Sequence, residues 1–532
     1  MADNSDMLSP VAGRVAGWIE SGAPFGGQAV RRVETHAAFI FLCGDRAWKL
    51  KKPVRFGYLD FSTVEKRREA LAAELRLNRR TAPQLYLGLH RVTCGDEARA
   101  FSLDGDGQVV DWLLEMRRFP DDALLADRAG KGLIDDALMR DLADHVVALH
   151  DGAPVVRCSD GAARLRRVVE GNAASMAAFP ALLEEGKARR LTERLLTLID
   201  RHAALLDRRG RQGQVRHGHG DLHLGNIALV DGRPVAFDCL EFDAALATAD
   251  VLYDLCFLMM DLCERGLIHA ANLLFNRYFD LSPEQEGAVG LLPLFMAVRA
   301  SIRAHVLAAQ AGQGGQAGDD RAEIAHHARH YLDFALLLLE GAEDGTEGGA
   351  TLRLIAIGGL SGTGKSTLAR ALGGEIGPPP GARILRSDIL RKRLAGVAPE
   401  ERLPPETYTQ EASRKVYAGL DHLAKQALQA GWPVLADAVF AMAEEREGIA
   451  GIAKAQGARF DGLWLTLCEE ERVTRIEARQ GEARQGDASD ADADVARMQT
   501  KWRHDQPENW AILKAGGDFS GLAARARRAL EV

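Results

Sequence analysis

The sequence predicts two folds in tandem. The first is α+β, a small sheet lobe followed by a helical lobe; the second is α/β, built on a parallel sheet. Three observations carry this. Strand-forming runs with turn residues come early, and hydrophobic spacing of three and four residues dominates from Leu138 onward. Beyond an acidic, glycine-rich stretch at Glu340–Ala350, short apolar runs then alternate with helical ones.

Along the chain, Ala37–Leu50 is aromatic and aliphatic and is interrupted by Cys43-Gly44-Asp45, which predicts two strands and a turn. Ser62–Arg80 reads as a helix, with Ser62 or Thr63 capping it ahead of Glu65. Leu138, Leu142, Val146 and Leu149 open the helical part. Within it, Ile227–Val230 and Val235–Asp238 flank Asp231-Gly232, a hairpin signal. Ala311–Asp320 reads as a loop, because the helical pattern at His326–Leu339 still needs a partner. The stretch at 340–351 cannot bury enough surface to offset its ordering entropy and reads as a linker. Later strand candidates are Leu352–Ile357, Ile384-Leu385, Pro433–Ala436 and Gly462–Leu467. The expected domains are 1–339 (sheet lobe about 25–120, helical lobe about 121–339) and 352–532.

Composition narrows the partners. Lys and Arg number 67 against 75 Asp and Glu, a net charge of −8, so nothing draws the chain as a whole to phosphate backbones. Nucleic acid is therefore not an expected partner. The seven cysteines are scattered without a C-x-x-C pair, which fits a reducing, cytoplasmic setting better than a zinc site or disulfide framework. The opening MADNSDMLSP does not read as a secretory signal. The apolar stretch Val251–Cys263 is short and broken by Asp254 and Asp261, and no membrane span is expected.

Residues 217–238 read HGHGDLHLGNIALVDGRPVAFD. His219, Asp221, Leu222 and Asn226 fit H-x-D-L-x-x-x-N, a spacing with a chemical rationale. Asp221 would orient a substrate hydroxyl and accept its proton, while Asn226 and, beyond the hairpin, Asp238 would supply hard oxygen ligands for Mg²⁺. The competing reading is a polar loop that caps helices.

HGDLHLGNI followed by FDCLEFD resembles the aminoglycoside phosphotransferase family, whose members share the protein-kinase-like fold; the nearest subgroup carries WKLKKPVRFGYLDFST. The resemblance covers Val33 to about Leu339. It implies Asp221 as catalytic base, Asn226 and Asp238 as metal ligands, and a strand lysine held by a helical glutamate to grip ATP phosphates. Lys49 and Glu74 take those roles, with Lys51, Lys52 and Glu69 as competitors. Two departures stand out: VETHAAF replaces a G-x-G-x-x-G ahead of Lys49, and Asp238-Cys239-Leu240 replaces D-F-G, which argues for a small-molecule acceptor.

The second constellation runs from Gly359 to Ser366 and fits G-x-x-x-x-G-K-[ST] between an apolar strand and a helix at Thr367–Leu372. Gly359, Ser361, Gly362, Thr363, Gly364 and Thr367 would fold backbone N–H groups around phosphate; Lys365 would reach the β/γ oxygens and Ser366 would ligate Mg²⁺. Asp437 ends a strand and suits a second Mg²⁺ role, the alternative being a turn cap. Asp388 would take a proton from an acceptor hydroxyl and Arg391 would hold an anionic group; a helix N-cap is the bland alternative for Asp388. Arg472, Arg475 and Arg479 share one helical face ahead of the acidic stretch Gly481–Asp494, which suggests a lid or else a solvated surface helix. GGLSGTGKST, RSDILRKRLAG, VLADAVF and IEARQGEARQGDASDA resemble the P-loop small-molecule kinases of the zeta-toxin and predicted-kinase group over about Leu352–Leu530. That resemblance implies Asp388 as activating base and Arg475 or Arg479 on ATP phosphates.

The expected function is a bifunctional, ATP- and Mg²⁺-dependent phosphotransferase. The alternatives are that one half only binds nucleotide as a regulatory switch, or that the P-loop half acts on a nucleic-acid end.

Overall fold

Alternation decides the first sheet of the computed structural model. Ala38–Cys43 pairs antiparallel with Arg46–Lys51 across Gly44-Asp45, so Trp48 and Leu50 point to one face and Lys49 and Lys51 to the other. Six antiparallel strands follow the order Arg31–Glu34, Ala38–Cys43, Arg46–Lys51, Gln108–Arg117, Tyr86–Cys94, Phe101–Leu103. Phe39, Phe41, Trp48 and Leu50 pack against Val15, Ala16 and Ile19 of the helix Pro10–Glu20. The opposite face takes helix Val64–Asn78, capped by Thr63, whose side chain accepts the Lys66 N–H. Arg67, Leu71, Glu74 and Asn78 recur at helical spacing and are its buried face.

The described residues are 10–35, 37–56, 59–95, 100–241, 243–312, 318–340, 352–481, 488–500 and 507–532. The expected linker beyond Glu340 therefore lies outside them, as do 313–317 and 482–487 of the two expected loops. Contacts divide the chain into two units: residues 1–134, 148–157 and 212–254, and residues 135–147, 158–211 and 255–532. In the first, Ile227–Val230 pairs with Arg233–Ala236 around Asp231-Gly232, and Val215–His217 pairs with Thr248–Asp250.

The second unit holds long helices, among them Gly161–Ala177, Glu185–Arg211, Ile268–Leu281 and Leu292–Gly312, together with a five-stranded sheet. All four strand pairings of that sheet are parallel, in the order Arg383–Arg386, Val434–Asp437, Arg353–Gly358, Arg459–Thr466, Ala511–Lys514. The last strand is additional to the four expected. Parallel strands need crossovers, and the helices between them, such as Lys365–Gly373 and Gln410–Gln429, provide them. Ile355, Ile357, Leu368, Leu372, Leu435 and Leu463 form the core.

Contrary to the expectation of no membrane-length segment, the helical stretch Pro283–Gly312 is long and apolar enough to cross a bilayer. Its most apolar window is 72% buried inside the fold, the environment of a core helix.

Candidate functional sites

In the first unit, the strand alternation that buries Trp48 and Leu50 delivers Lys49 and Lys51 to the glutamate of the facing helix. Lys49 Nζ lies 2.6 Å from Glu74 Oε1 and 2.7 Å from Asp238 Oδ1. Lys51 Nζ lies 2.8 Å from Glu74 Oε2 and 2.6 Å from Glu241 Oε1. The two lysines thus take one oxygen each of a fully buried carboxylate. Burial alone would lower the Lys49 pKa, but Asp238, Glu74 and Glu241 outweigh it and hold it well above the ordinary value. Lys52 pairs instead with Glu34 at 2.6 Å, and Glu69 is solvent-exposed.

Asp238 follows the hairpin with φ +61, a left-handed conformation that a non-glycine residue adopts only when held. Two residues hold it: the Tyr86 hydroxyl accepts the Asp238 N–H at 3.1 Å and Asn78 Oδ1 accepts the Cys239 N–H at 2.9 Å. Asn78 also donates to the Glu74 carbonyl, tying the glutamate helix to the Asp238 segment. Neither was legible in the sequence.

Asn226 donates its side-chain N–H to both Asp221 Oδ2 at 2.9 Å and the Asp221 carbonyl at 3.0 Å, which leaves its own carbonyl oxygen as the group to offer a cation. Asp254 accepts the N–H groups of His219 and Gly220 at 2.8 and 3.0 Å and fixes the start of the loop. In the sequence Asp254 registers only as a break in an apolar run. The mutual repulsion of Asp221 and Asp238 is part of the electrostatics here. This oxygen set fits Mg²⁺, which takes few protein ligands and keeps waters and phosphates.

In the second unit, the loop between strand Arg353–Gly358 and helix Lys365–Gly373 carries Gly359, Gly362 and Gly364 at φ +136, +84 and +92. A Cβ on Gly359 would stand 2.6 Å from the Leu465 carbonyl, and one on Gly362 2.8 Å from that of Arg472. At Gly364 it would meet nothing nearer than the Arg475 guanidinium at 3.8 Å, an open cradle. The Thr363 hydroxyl donates to the Leu360 carbonyl at 2.8 Å, as Lys365 Nζ does at 3.2 Å. Gln499 clamps Ser361, accepting its N–H at 2.8 Å and donating to its hydroxyl at 3.0 Å. Thr367 lies exposed in the first helical turn.

The Ser366 hydroxyl donates to Asp437 Oδ2 at 2.6 Å, and Arg386 Nε is 3.4 Å from the same oxygen. Burial is the largest influence on Lys365 and lowers its pKa; Asp437 and Asp388 oppose it, while Arg386 and Arg472 add to it. Asp388 is therefore electrostatically close to Lys365. It sits in the first turn of helix Ser387–Ala395, whose N-cap residue is Arg386. Arg391 lies over the Tyr408 ring at 4.8 Å and reaches Ser413 at 3.3 Å.

The expected arginine face splits. Arg475 is exposed beside Gly364 and donates to the Ala515 carbonyl at 2.8 Å. Arg472 is buried and donates to the carbonyls of Ser361 and Ala496, so it braces the loop from behind. The side chain of Arg479 lies outside the described residues.

A lysine–glutamate–aspartate set on a small antiparallel sheet beside a catalytic-loop spacing defines the protein-kinase-like fold, and the glycine cradle between parallel strand and helix defines a P-loop domain. Together they define the class of nucleotide-dependent phosphotransferases. Residues 354–505 match the AAA domain family. The chain is 32% identical over 365 residues to Uncharacterized protein Rv2004c of Mycobacterium tuberculosis, and equally to Uncharacterized protein Mb2027c of Mycobacterium bovis, with 68% of this chain and 68% of each relative covered. The chain belongs to the family of these mycobacterial proteins.

Among solved structures it is similar to amicoumacin kinase in complex with AMP-PNP, Ca²⁺ and Ami (TM-score 0.38, 13% identity, 62% of this chain and 96% of that one). It is also similar to the Mycobacterium tuberculosis APS kinase in complex with AMPPNP and APS (TM-score 0.25, 21% identity, 34% of this chain and 99% of that one).

Proposed function

We propose that the chain is a bifunctional phosphotransferase in which each centre moves the ATP γ-phosphoryl group to a hydroxyl of a small molecule. The observation that carries the reading is that each centre joins a lysine suited to phosphate to a carboxylate suited to an acceptor: Lys49 contacts Asp238, which feels the charge of Asp221, and Lys365 feels the charge of Asp388. At the first centre Glu74 orients Lys49, Asn226 and Asp238 would hold Mg²⁺, and Asp221 accepts the acceptor proton. At the second, the backbone of Gly359–Gly364 and Lys365 bind phosphates, Ser366 and Asp437 would hold Mg²⁺, Asp388 accepts the proton, and Arg391 binds an anionic part of the acceptor. Bound Mg²⁺ supplies charge neutralisation on the phosphates. Arg475 stands beside the cradle, suited to a transferring phosphate.

The seven free thiols favour a reducing, cytoplasmic setting for this activity. The N-cap of that helix is Arg386 and not Asp388, and the Asp388 charge acts on Lys365, which favours a second kinase centre over a nucleotide switch.

The test compares Asp221→Asn and Lys365→Ala, each assayed for ADP release across a panel of hydroxyl-bearing metabolites and antibiotics. Each variant is expected to lose a different set of products. If neither changes the turnover of any phosphorylated product, the proposal is wrong.

A further inference from the structure

The candidate acceptor residues of the P-loop centre follow an edge strand, and that edge is closed from outside the P-loop fold. Arg383–Arg386 is the outermost of the five parallel strands, so one side of its backbone has no strand partner. Helix Ile268–Leu281, which precedes the linker in sequence but lies in the same compact unit, closes it with carboxamides. Asn276 Oδ1 accepts the Ile384 N–H at 2.7 Å and Arg383 Nη1 at 3.0 Å, and its Nδ2 donates to the Ala382 carbonyl at 3.1 Å. Asn272 donates to the Pro380 and Ala382 carbonyls, each at 3.0 Å. One amide side chain therefore both donates and accepts, as a neighbouring strand would.

Charge fixes the same segment. Arg383 is 1% exposed; its Nη2 lies 2.8 Å from Asp280 Oδ1 and 2.7 Å from Glu286 Oε1, and its Nε reaches Glu286 Oε2 at 3.1 Å. Arg393 lies 3.4 Å from Glu286 and donates to the carbonyls of Phe279 and Asp280 at 3.1 and 3.0 Å. A guanidinium this buried depends on its carboxylates, since removing them strands a charge. Residues 383 and 393 are thus anchored to one scaffold, and Arg386, Asp388 and Arg391 lie between the anchors.

We infer that Asn276, Asp280 and Glu286 are positioning residues for the P-loop centre: acting through Arg383 and Arg393, they set the placement of the segment that carries Arg386, Asp388 and Arg391. The region before the linker thereby governs how the half after it handles its acceptor. The inference rests on the acceptor-side reading of Asp388 given above.

The experiment uses the full chain and the Lys365-dependent part of ADP release with water as acceptor, so no acceptor need be identified. Asn276→Ala is expected to leave the KM for ATP within about twofold and to lower kcat about tenfold, because orientation rather than nucleotide affinity is lost. Amide hydrogen exchange across residues 384–390 should rise about tenfold while that across 359–366 stays at the wild-type rate. Glu286→Gln should act in the same direction more strongly. Should it fail to fold, Asp280→Asn, which leaves both Glu286 contacts to Arg383, is expected to raise exchange about threefold. Wild-type exchange in Asn276→Ala overturns the inference, and so does faster exchange with an unchanged kcat, which would mark a purely structural tie. Asp388→Asn separates the two readings. If it leaves kcat intact, the base assignment falls, and a kcat loss in Asn276→Ala still supports the clamp.

Discussion

The two centres prepare for phosphate in opposite ways. In the first, the gripping groups are side chains held by other side chains: Lys49 and Lys51 share Glu74, and Asp238 and Glu241 close the set. In the second, the grip is mostly backbone, shaped by glycines at positive φ, with a single lysine whose pKa burial lowers. A side-chain cage is vulnerable at its shared member, whereas a backbone cradle is vulnerable wherever a Cβ intrudes. The same substitution chemistry should therefore strike the two centres with different signatures.

The largest effect is expected at Glu74. Glu74→Gln leaves two buried ammonium groups sharing a neutral amide, and breaking such a pair costs about 3–5 kcal/mol. Tm should fall, and Asp221-dependent turnover should drop by about 10²-fold or more as Lys49 loses its orientation. Lys365-dependent ADP release, measured in the same preparation below its Tm, should be retained. Equal loss of both activities would mean that the centres are not separable in this way.

Gly362→Ala is the counterpart. The residue sits at φ +84, and its new Cβ would stand 2.8 Å from the Arg472 carbonyl, so strain and clash together cost about 1–3 kcal/mol. Nucleotide binding to the P-loop centre, followed with a fluorescent ATP analogue, should weaken by about tenfold or more while Asp221-dependent turnover holds. Unchanged binding would show that the loop yields at Gly362 and that the backbone is not what grips.

How much of this the sequence revealed follows the same division. The glycine cradle and the Asp221–Asn226 spacing are local motifs of six to eight consecutive residues, while the groups that brace them, Gln499, Arg472 and Asp254, come from elsewhere in the chain. Fold class was legible for a similar reason, since strand alternation around Lys49 and the hairpin at Asp231-Gly232 are short-range patterns. What depends on tertiary pairing was not. The choice of Glu74 over Glu69 is decided by which face of helix Val64–Asn78 meets the sheet, and that helix is polar enough that its face is poorly marked. The sharing of Glu74 between Lys49 and Lys51 needs the register of two strands and a helix at once. The clamp on Arg383 requires knowing that its strand is an edge, which only the completed sheet order tells. The brief strand Ala511–Lys514 went unforeseen because four residues beside glycines carry almost no period.

The smallest effect on turnover is expected at a residue outside both centres, and it supplies the control for the comparison. His305, on the helix Leu292–Gly312, contacts Asn172 at 3.3 Å, and burial lowers its pKa to about 4. Between that value and the ordinary histidine pKa of about 6.5, the unfolded chain binds more protons than the folded one, so stability rises with pH across this window and levels off above it. The limiting slope for one such group is about 1.4 kcal/mol per pH unit. His305→Gln removes this contribution. The Tm difference between wild type and variant should therefore widen in the direction of wild type as pH rises from about 4 to about 6.5, and stay constant beyond. Neither Glu74→Gln nor Gly362→Ala should alter that difference, because His305 belongs to the helical packing and to neither phosphate grip. A His305-dependent slope that changes with either variant would mean that the centres and the helical body titrate as one system.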